Sequence, residues 1–246
     1  MAAGPIETFH DVDLKDALVL VAFPTTGSAA NIAAHYLVEQ LELPVVGHVR
    51  VQELQSVIAI QEGRATSPVR IFGGDVACRL EEACPRVYIV TSDLPVGPNV
   101  LGNVGELVVA WASQGKARLI IVLEGVVRNE GDDVPDVFVA SAEARVLREL
   151  QKAELPAMGR ALLGGISARI LLGSPGAGIR SGALIVEAKR EHPDGRAAAA
   201  LVSALARFLP DVVIDETPLL EESRRIEEEI RRATAPAAPQ AHASFI

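Results

Sequence analysis

The residues best placed for chemistry lie in a turn that follows the first apolar run. Ala17 to Phe23 is unbroken apolar sequence, Pro24 removes a backbone donor, and Thr25, Thr26, Gly27 and Ser28 follow before a helical pattern opens at Ala29. Free backbone N–H groups at a helix N-terminus face whatever approaches such a turn, so a phosphate or carboxylate is the ligand it could cradle. Thr25, Thr26, Gly27 and Ser28 are therefore ligand-turn candidates. The turn is not a Walker A loop, because neither G-x-x-x-x-G-K-[ST] nor a nearby lysine accompanies it. A plain strand-to-helix turn, with Gly27 supplying backbone freedom and Ser28 capping the helix, is the simpler reading of the same residues.

Other chemistry is approached and missed. Gly176, Ala177 and Gly178 would need glycine at position 181 to complete G-x-G-x-x-G, and that position is Ser181. Gly165, Ile166, Ser167, Ala168 and Arg169 put arginine where a G-x-S-x-G elbow needs its second glycine. The five histidines (His10, His35, His48, His192 and His242) share no metal-ligand spacing, and His35, flanking the apolar face of the first helix, reads as structural. Cys78 and Cys84 stand six apart, unlike C-x-x-C. Asp75, Asp93 and Glu124 lie near strand ends, where α/β folds build their sites. No nucleophile–base pair assembles from these residues, so no catalytic residue, metal ligand or cofactor is assigned.

The elements that must carry these positions alternate along the chain. After the strand at Ala17 to Phe23, Ile32, Ala33, Tyr36, Leu37 and Leu41 recur at helical spacing. Val57 to Ile60, Val69 to Phe72 and Arg86 to Thr91 are short strand candidates, with a turn at Gln61 to Pro68. Pro98 to Gly115 reads as a helix through Leu101, Val104, Val108 and Trp111, with Trp111 as a core anchor. Arg118 to Gly125 is a second buried strand and Asp136 to Ala140 a third; a helix follows over Ala142 to Leu155. Leu162 to Leu172 is apolar around two glycines, Ala183 to Ala188 is a strand, and Asp194 to Phe208 and Pro218 to Ala233 are helices. This alternation predicts one α/β domain over residues 1–233, with a largely parallel sheet between helix layers, and a flexible tail over 234–246.

Composition narrows the classes. Net charge is −9, which disfavours nucleic acid as a partner. The chain is 49% hydrophobic yet has no apolar run near the roughly 18 residues that suggest a membrane span. Its opening, Met1 to Asp16, lacks a basic region followed by an apolar core. Two cysteines make a disulfide framework an unexpected feature, and a cytoplasmic setting is expected.

Taken together, several segments resemble the proteasome assembly chaperone family of archaea and bacteria. Val21 to Pro24 with Gly27, then Asn31 to Leu37, resembles the family's strand–F-P-G-x-G–x-x-x-N-I-A-A-x-Y-L signature. Pro68 to Gly73 resembles its P-V-R-I-Y-G strand, the Trp111 region its A-x-W-A helix, and Ile121 to Gly125 its I-V-L-x-G strand. Gly165, Ile166, Leu171 and Leu172 resemble its glycine–isoleucine motif, and Ile185 to Ala188 with Pro193, Asp194, Ala197 and Ala198 its L-L-x-E-x and P-D-x-x-A-A segments. The similarity runs from about residue 15 to residue 233. Thr25 and Thr26 depart from the usual Pro-Gly-x, and Ala168 from a frequent glycine.

The resemblance implies a three-layer α/β/α fold similar to nucleoside phosphorylases, without their catalytic residues. It implies a non-enzymatic protein that forms homo-oligomers and assists proteasome α-subunits; the alternative is an enzyme or small-ligand binder on the same scaffold. Two further segments fit an assembly factor. The last helix presents Leu219, Ser223, Ile226 and Ile230 as a seam for a second subunit, flanked by i,i+4 pairs such as Glu221–Arg225. The tail ends in Ser244, Phe245 and Ile246, a partial match to the hydrophobic–Tyr/Phe–any ending with which proteasome activators dock between α-subunits, through the ring and the terminal carboxylate.

Overall fold

A computed structural model describes residues 6–9, 12–51, 57–61, 63–79, 83–128, 135–190, 192–209 and 214–234. Its centre is four parallel strands, β9 (Val87–Ser92), β2 (Leu18–Ala22), β10 (Leu119–Val127) and β12 (Ser181–Ala188), hydrogen-bonded in that order. Antiparallel strands extend both flanks of the sheet. β6 (Val69–Gly74), β3 (Val45–Val49) and β1 (Ile6–Thr8) continue it beyond β9, and β11 (Val137–Ala140) closes the other edge on β12. Two short hairpins stand apart: β4 (Ala59–Gln61) with β5 (Arg64–Thr66), and β7 (Cys78–Arg79) with β8 (Ala83–Cys84).

The apolar runs serve two layers because successive side chains of a strand point to opposite faces. Leu18, Leu20 and Ala22 of β2 join one core with α1 (Ala29–Gln40), α3 (Ala144–Gln151), α5 (Gly195–Ala206) and the start of α6 (Thr217–Thr234). Val19 and Val21 point the other way, into a second core with α2 (Pro98–Gln114) and α4 (Gly165–Gly173). β10 divides likewise, Leu119, Ile121 and Leu123 to the first face and Ile120 and Val122 to the second. A strand covered on both faces needs a continuous apolar sequence, which is why β2 and β10 show no alternation. The result is a three-layer α/β/α fold, parallel at its centre.

Several expectations shift in detail. The apolar stretch around Gly164 and Gly165 contains a helix, α4, while Leu162 and Leu172 stay exposed. Trp111 is half-buried at the rim of the second core, edge-on to Tyr88 with ring centroids 6.0 Å apart. Cys78 and Cys84 form a disulfide, which the sequence reading did not anticipate. The β7–β8 hairpin sets them directly opposite each other with Cα atoms 5.0 Å apart, within bridging range. Among the described residues no helix is long and apolar enough to cross a membrane.

Gly27 is the backbone pivot of the first βα unit. Its φ is +60°, and a Cβ there would lie 2.6 Å from the Lys189 carbonyl oxygen. Gly63 has a similar φ of +76° with nothing within 4 Å of such a Cβ. Gly63→Ala therefore carries only the left-handed strain of about 1–2 kcal/mol, whereas Gly27→Ala carries that strain plus the carbonyl clash. Urea melts of the two variants should show the larger loss for Gly27→Ala; equal losses would remove the packing role of Gly27.

Candidate functional site

The carboxyl ends of β2 and β10 meet where the sequence places its ligand-turn candidates. After β2 the chain makes a 3₁₀ turn over Thr26–Ser28 and enters α1. Ser28 occupies the N-cap position with a left-handed backbone, φ 48°, and its side chain makes no capping bond. The expected Ser28 cap is thus absent: the residue turns the chain instead of closing the helix. The turn is held from behind by Asp194, whose backbone N–H donates to the Gly27 carbonyl at 2.8 Å. Both Asp194 carboxylate oxygens are used as well, Oδ1 accepting from Ala197 N at 3.0 Å and Oδ2 from Lys189 N at 2.8 Å.

In front of the turn sits Glu124, inside β10 one residue past the pairing of Leu123 with Ala22, where β2 ends, and 7% exposed. Its Oε1 accepts from the Gly125 backbone N–H at 3.2 Å, and its Oε2 accepts from the hydroxyl of Ser167 on α4. The Gly125 N–H is shared with Thr25 Oγ1 at 3.3 Å. A Cβ at Gly125 would lie 2.5 Å from the Thr26 carbonyl oxygen, so glycine lets β10 pass against the turn. Burial pushes the Glu124 carboxyl above its ordinary range, and hydrogen bonds from Ser167, Thr25 and Gly125 pull in the opposite direction. The fold thus brings Thr25, Thr26 and Gly27 together with Glu124, Gly125 and Ser167.

The other acidic candidates fall elsewhere. Asp93 follows β9 and pairs with the buried Arg70. His35 of α1 lies 3.8 Å from it, edge-on to Phe72, and burial lowers the pKa of its imidazole. Asn31 ties α1 to the same strand end, donating to Thr91 Oγ1 at 3.0 Å and to the Ser92 carbonyl at 2.8 Å. Asp75 is at the opposite end of the sheet, bonded to Arg86 just before β9, because β6 runs antiparallel to β9. Its expected place among strand-end site residues is therefore corrected.

Chemically, the Glu124 cluster is a carboxyl occupied on both oxygens by protein donors. Ser167 directs its proton to Glu124, and the imidazole of His35 faces Asp93. Ser167 was visible in the sequence only as part of a broken elbow motif, and Arg70 only as the arginine of the P-V-R-I-Y-G-like strand. Among the described residues no group of three or more His, Cys, Asp or Glu side chains is placed to hold a metal ion. On α6, Leu219 packs partly against the first core and Ser223 is buried beside Gly195 of α5. The side chains of Ile226 and Ile230, and the whole of Phe245 and Ile246, lie outside what the structure describes.

The model of the PAC2 family matches residues 19–234. This chain belongs to the PAC2 family. A curated relative, an uncharacterized protein of Methanocaldococcus jannaschii, is 22% identical over 221 residues, covering 89% of this chain and 86% of its own. The crystal structure of Pyrococcus furiosus PbaA, an archaeal homolog of proteasome-assembly chaperone, superposes with a TM-score of 0.80 at 24% identity, covering 94% of this PAC2 chain and 92% of PbaA. Pyrococcus furiosus PbaB, an archaeal proteasome activator, superposes with a TM-score of 0.78 at 19% identity, covering 93% and 97%. The α/β fold of this PAC2 protein is thus the fold of those structures.

Glu124 gives the site a pH signature. A carboxyl raised in the folded state favours folding most below the ordinary carboxyl range, and that contribution is lost as pH climbs toward the folded-state value. Glu124→Gln removes the titration while keeping an acceptor for Gly125 N. The melting temperature of the variant relative to wild type should rise between about pH 4 and pH 8, a span that begins at the ordinary carboxyl value. A constant difference across that range would show that Glu124 does not titrate abnormally.

Proposed function

We propose that this PAC2 protein is a non-enzymatic assembly factor that binds other proteins, associates with copies of itself and engages proteasome α-subunits through Phe245 and Ile246. The observation that carries this reading is the closed Glu124 carboxylate: the strand-end position where a related scaffold would hold a substrate is filled by Ser167 and the Gly125 N–H. Family membership and the likeness to PbaA and PbaB support it. Apolar surface left in water supports protein binding as well, since Ile58 and Ile60 at the β4–β5 hairpin are 61% and 65% exposed. Phe245 and Ile246 are the only large apolar residues between 235 and 246, and burying a phenyl ring stabilises a complex by about 1.5–3 kcal/mol. The second reading, an enzyme or small-ligand binder on this scaffold with Thr25, Thr26, Gly27 and Ser28 as its anion turn, is favoured by one observation, the raised pKa of Glu124.

Purified archaeal α-subunit rings are expected to capture the full chain, and Phe245→Ala to weaken capture by roughly tenfold or more, the loss of a buried ring. Equal capture by both, or by neither, refutes the tail as an anchor. Self-association is read separately. Leu219 already packs within its own subunit, so the distal positions of the α6 seam carry the intersubunit contact. Ile226→Glu with Ile230→Glu is expected to reduce the mass measured by light scattering to that of a smaller species, and an unchanged mass removes α6 from the interface.

A further inference from the structure

A cleft of about 550 Å³ opens beside the contact between α5 and α6, on the face away from the Glu124 cluster. The two helices touch where Gly195 meets Ser223; a Cβ on Gly195 would come within 2.7 Å of that side chain. Beside this contact the floor that α5 presents is made of small groups, Ala199, Ala200, Ser203 and Ala204, with Arg196 at the edge, so the space is left open. Leu155 and Pro156 wall one side and Leu220 of α6 the other. The charged residues at the rim balance: Arg196, Arg207 and Arg224 against Asp136, Glu154 and Glu216. Arg207 is already engaged, donating to the carbonyls of Ala153 and Glu154. A cleft of this size, floored by small, mostly apolar groups, suits one or two large apolar side chains.

We infer that this cleft is the intramolecular docking site of the chain's own last residues, with Phe245 and Ile246 seated against Ala199, Ala200 and Leu220. The chain continues beyond Thr234, the last described residue, to Ile246. Leu220 lies back along α6 from Thr234 by about 21 Å at the helical rise. From Thr234 to Phe245 an extended chain spans up to about 36 Å, so the ring reaches the cleft with length to spare. Residues 235–246 contain no Asp, Glu, Lys or Arg, and Pro236 and Pro239 favour an extended arm. The large apolar groups of that arm are Phe245 and Ile246, for which the cleft offers burial. The inference does not depend on the α-subunit reading. If both hold, one Phe245 cannot fill the cleft and a partner at once, and partner binding requires release of the docked arm.

The test places the photocrosslinker p-benzoylphenylalanine at position 245 of the full chain and maps the products by mass spectrometry after irradiation. The expected product is a cross-link within a single chain to peptides carrying Ala199, Ala200 or Leu220. Ala200→Trp, which fills the cleft, and Leu220→Asp, which charges its wall, should each cut that yield by about tenfold, equivalent to 1.4 kcal/mol of docking. Leu220→Asp serves as the independent check if Ala200→Trp disturbs folding. Cross-links confined to other surfaces, cross-links between two chains, or a yield unchanged by Leu220→Asp would each overturn the proposal. A two-chain product at the same peptides would assign the cleft to a second copy. Capture of α-rings by the same preparations reads the partner hypothesis separately, so the two can fail independently.

Discussion

A buried carboxylate left without partners would be strongly unfavourable, and Asp194 avoids that penalty by joining three parts of the chain. Its side chain satisfies the first turn of α5 and the end of β12, and its backbone N–H holds the Gly27 carbonyl. That link places the first βα turn against the end of β12 and leaves no room for a side chain at Gly27. With the turn fixed, α1 and α5 lie side by side over the same face of the sheet, and α6 can dock through Gly195. The positions of Thr25 and Thr26, and through them the pass of Gly125 beneath the turn, follow from the same constraint.

The strand ends that this arrangement brings together enclose a carboxyl instead of presenting one. Ser167 reaches Glu124 from the opposite helix layer, so the bond also ties α4 to the central strand. The nearby His35, Asp93 and Arg70 group is likewise turned on itself, with Arg70 stacked over Phe72 at 5.0 Å. Polar groups at the carboxyl ends of the sheet are thus spent on connecting layers. Apolar groups, by contrast, reach solvent at the β4–β5 hairpin and along the α5–α6 cleft, and those surfaces are the ones that gain from contact with another chain segment.

The helix layers themselves are unequal. One buries alanines of α1 and α5 close against the sheet, while the other relies on the larger side chains of α2 and α4. Alanine lets α1 and α5 approach the strands and each other, and further alanines of α5, Ala199 and Ala200, leave the cleft beside α6. A single compositional choice in α5 therefore serves close packing on one face and opens space on the other.

By itself the sequence determined the strands and helices whose burial is continuous or periodic. The unbroken apolar runs of β2 and β10 required cover on both faces, the spacing of α2 gave its inward side, and Gly27 marked a turn no side chain tolerates. In α1 the expected face is only partly right, since Ala29, Ala30, Ala33, Ala34 and Leu37 are buried while Ile32, Tyr36 and Leu41 are half-buried. The family-like motifs brought the α/β/α layering with them. Tertiary structure alone decided neighbours. Periodicity records which side chains are buried but not which strand lies alongside, so the antiparallel course of β6, which carries Asp75 to the far end of the sheet, was not legible. For the same reason the opposition of Cys78 and Cys84 and the bond between Ser167 and Glu124, 43 residues apart, appeared only in the folded chain. Ser28 reads as a helix cap by residue type, yet its backbone takes a left-handed turn because Gly27 and Asp194 fix the path of the chain before the helix begins.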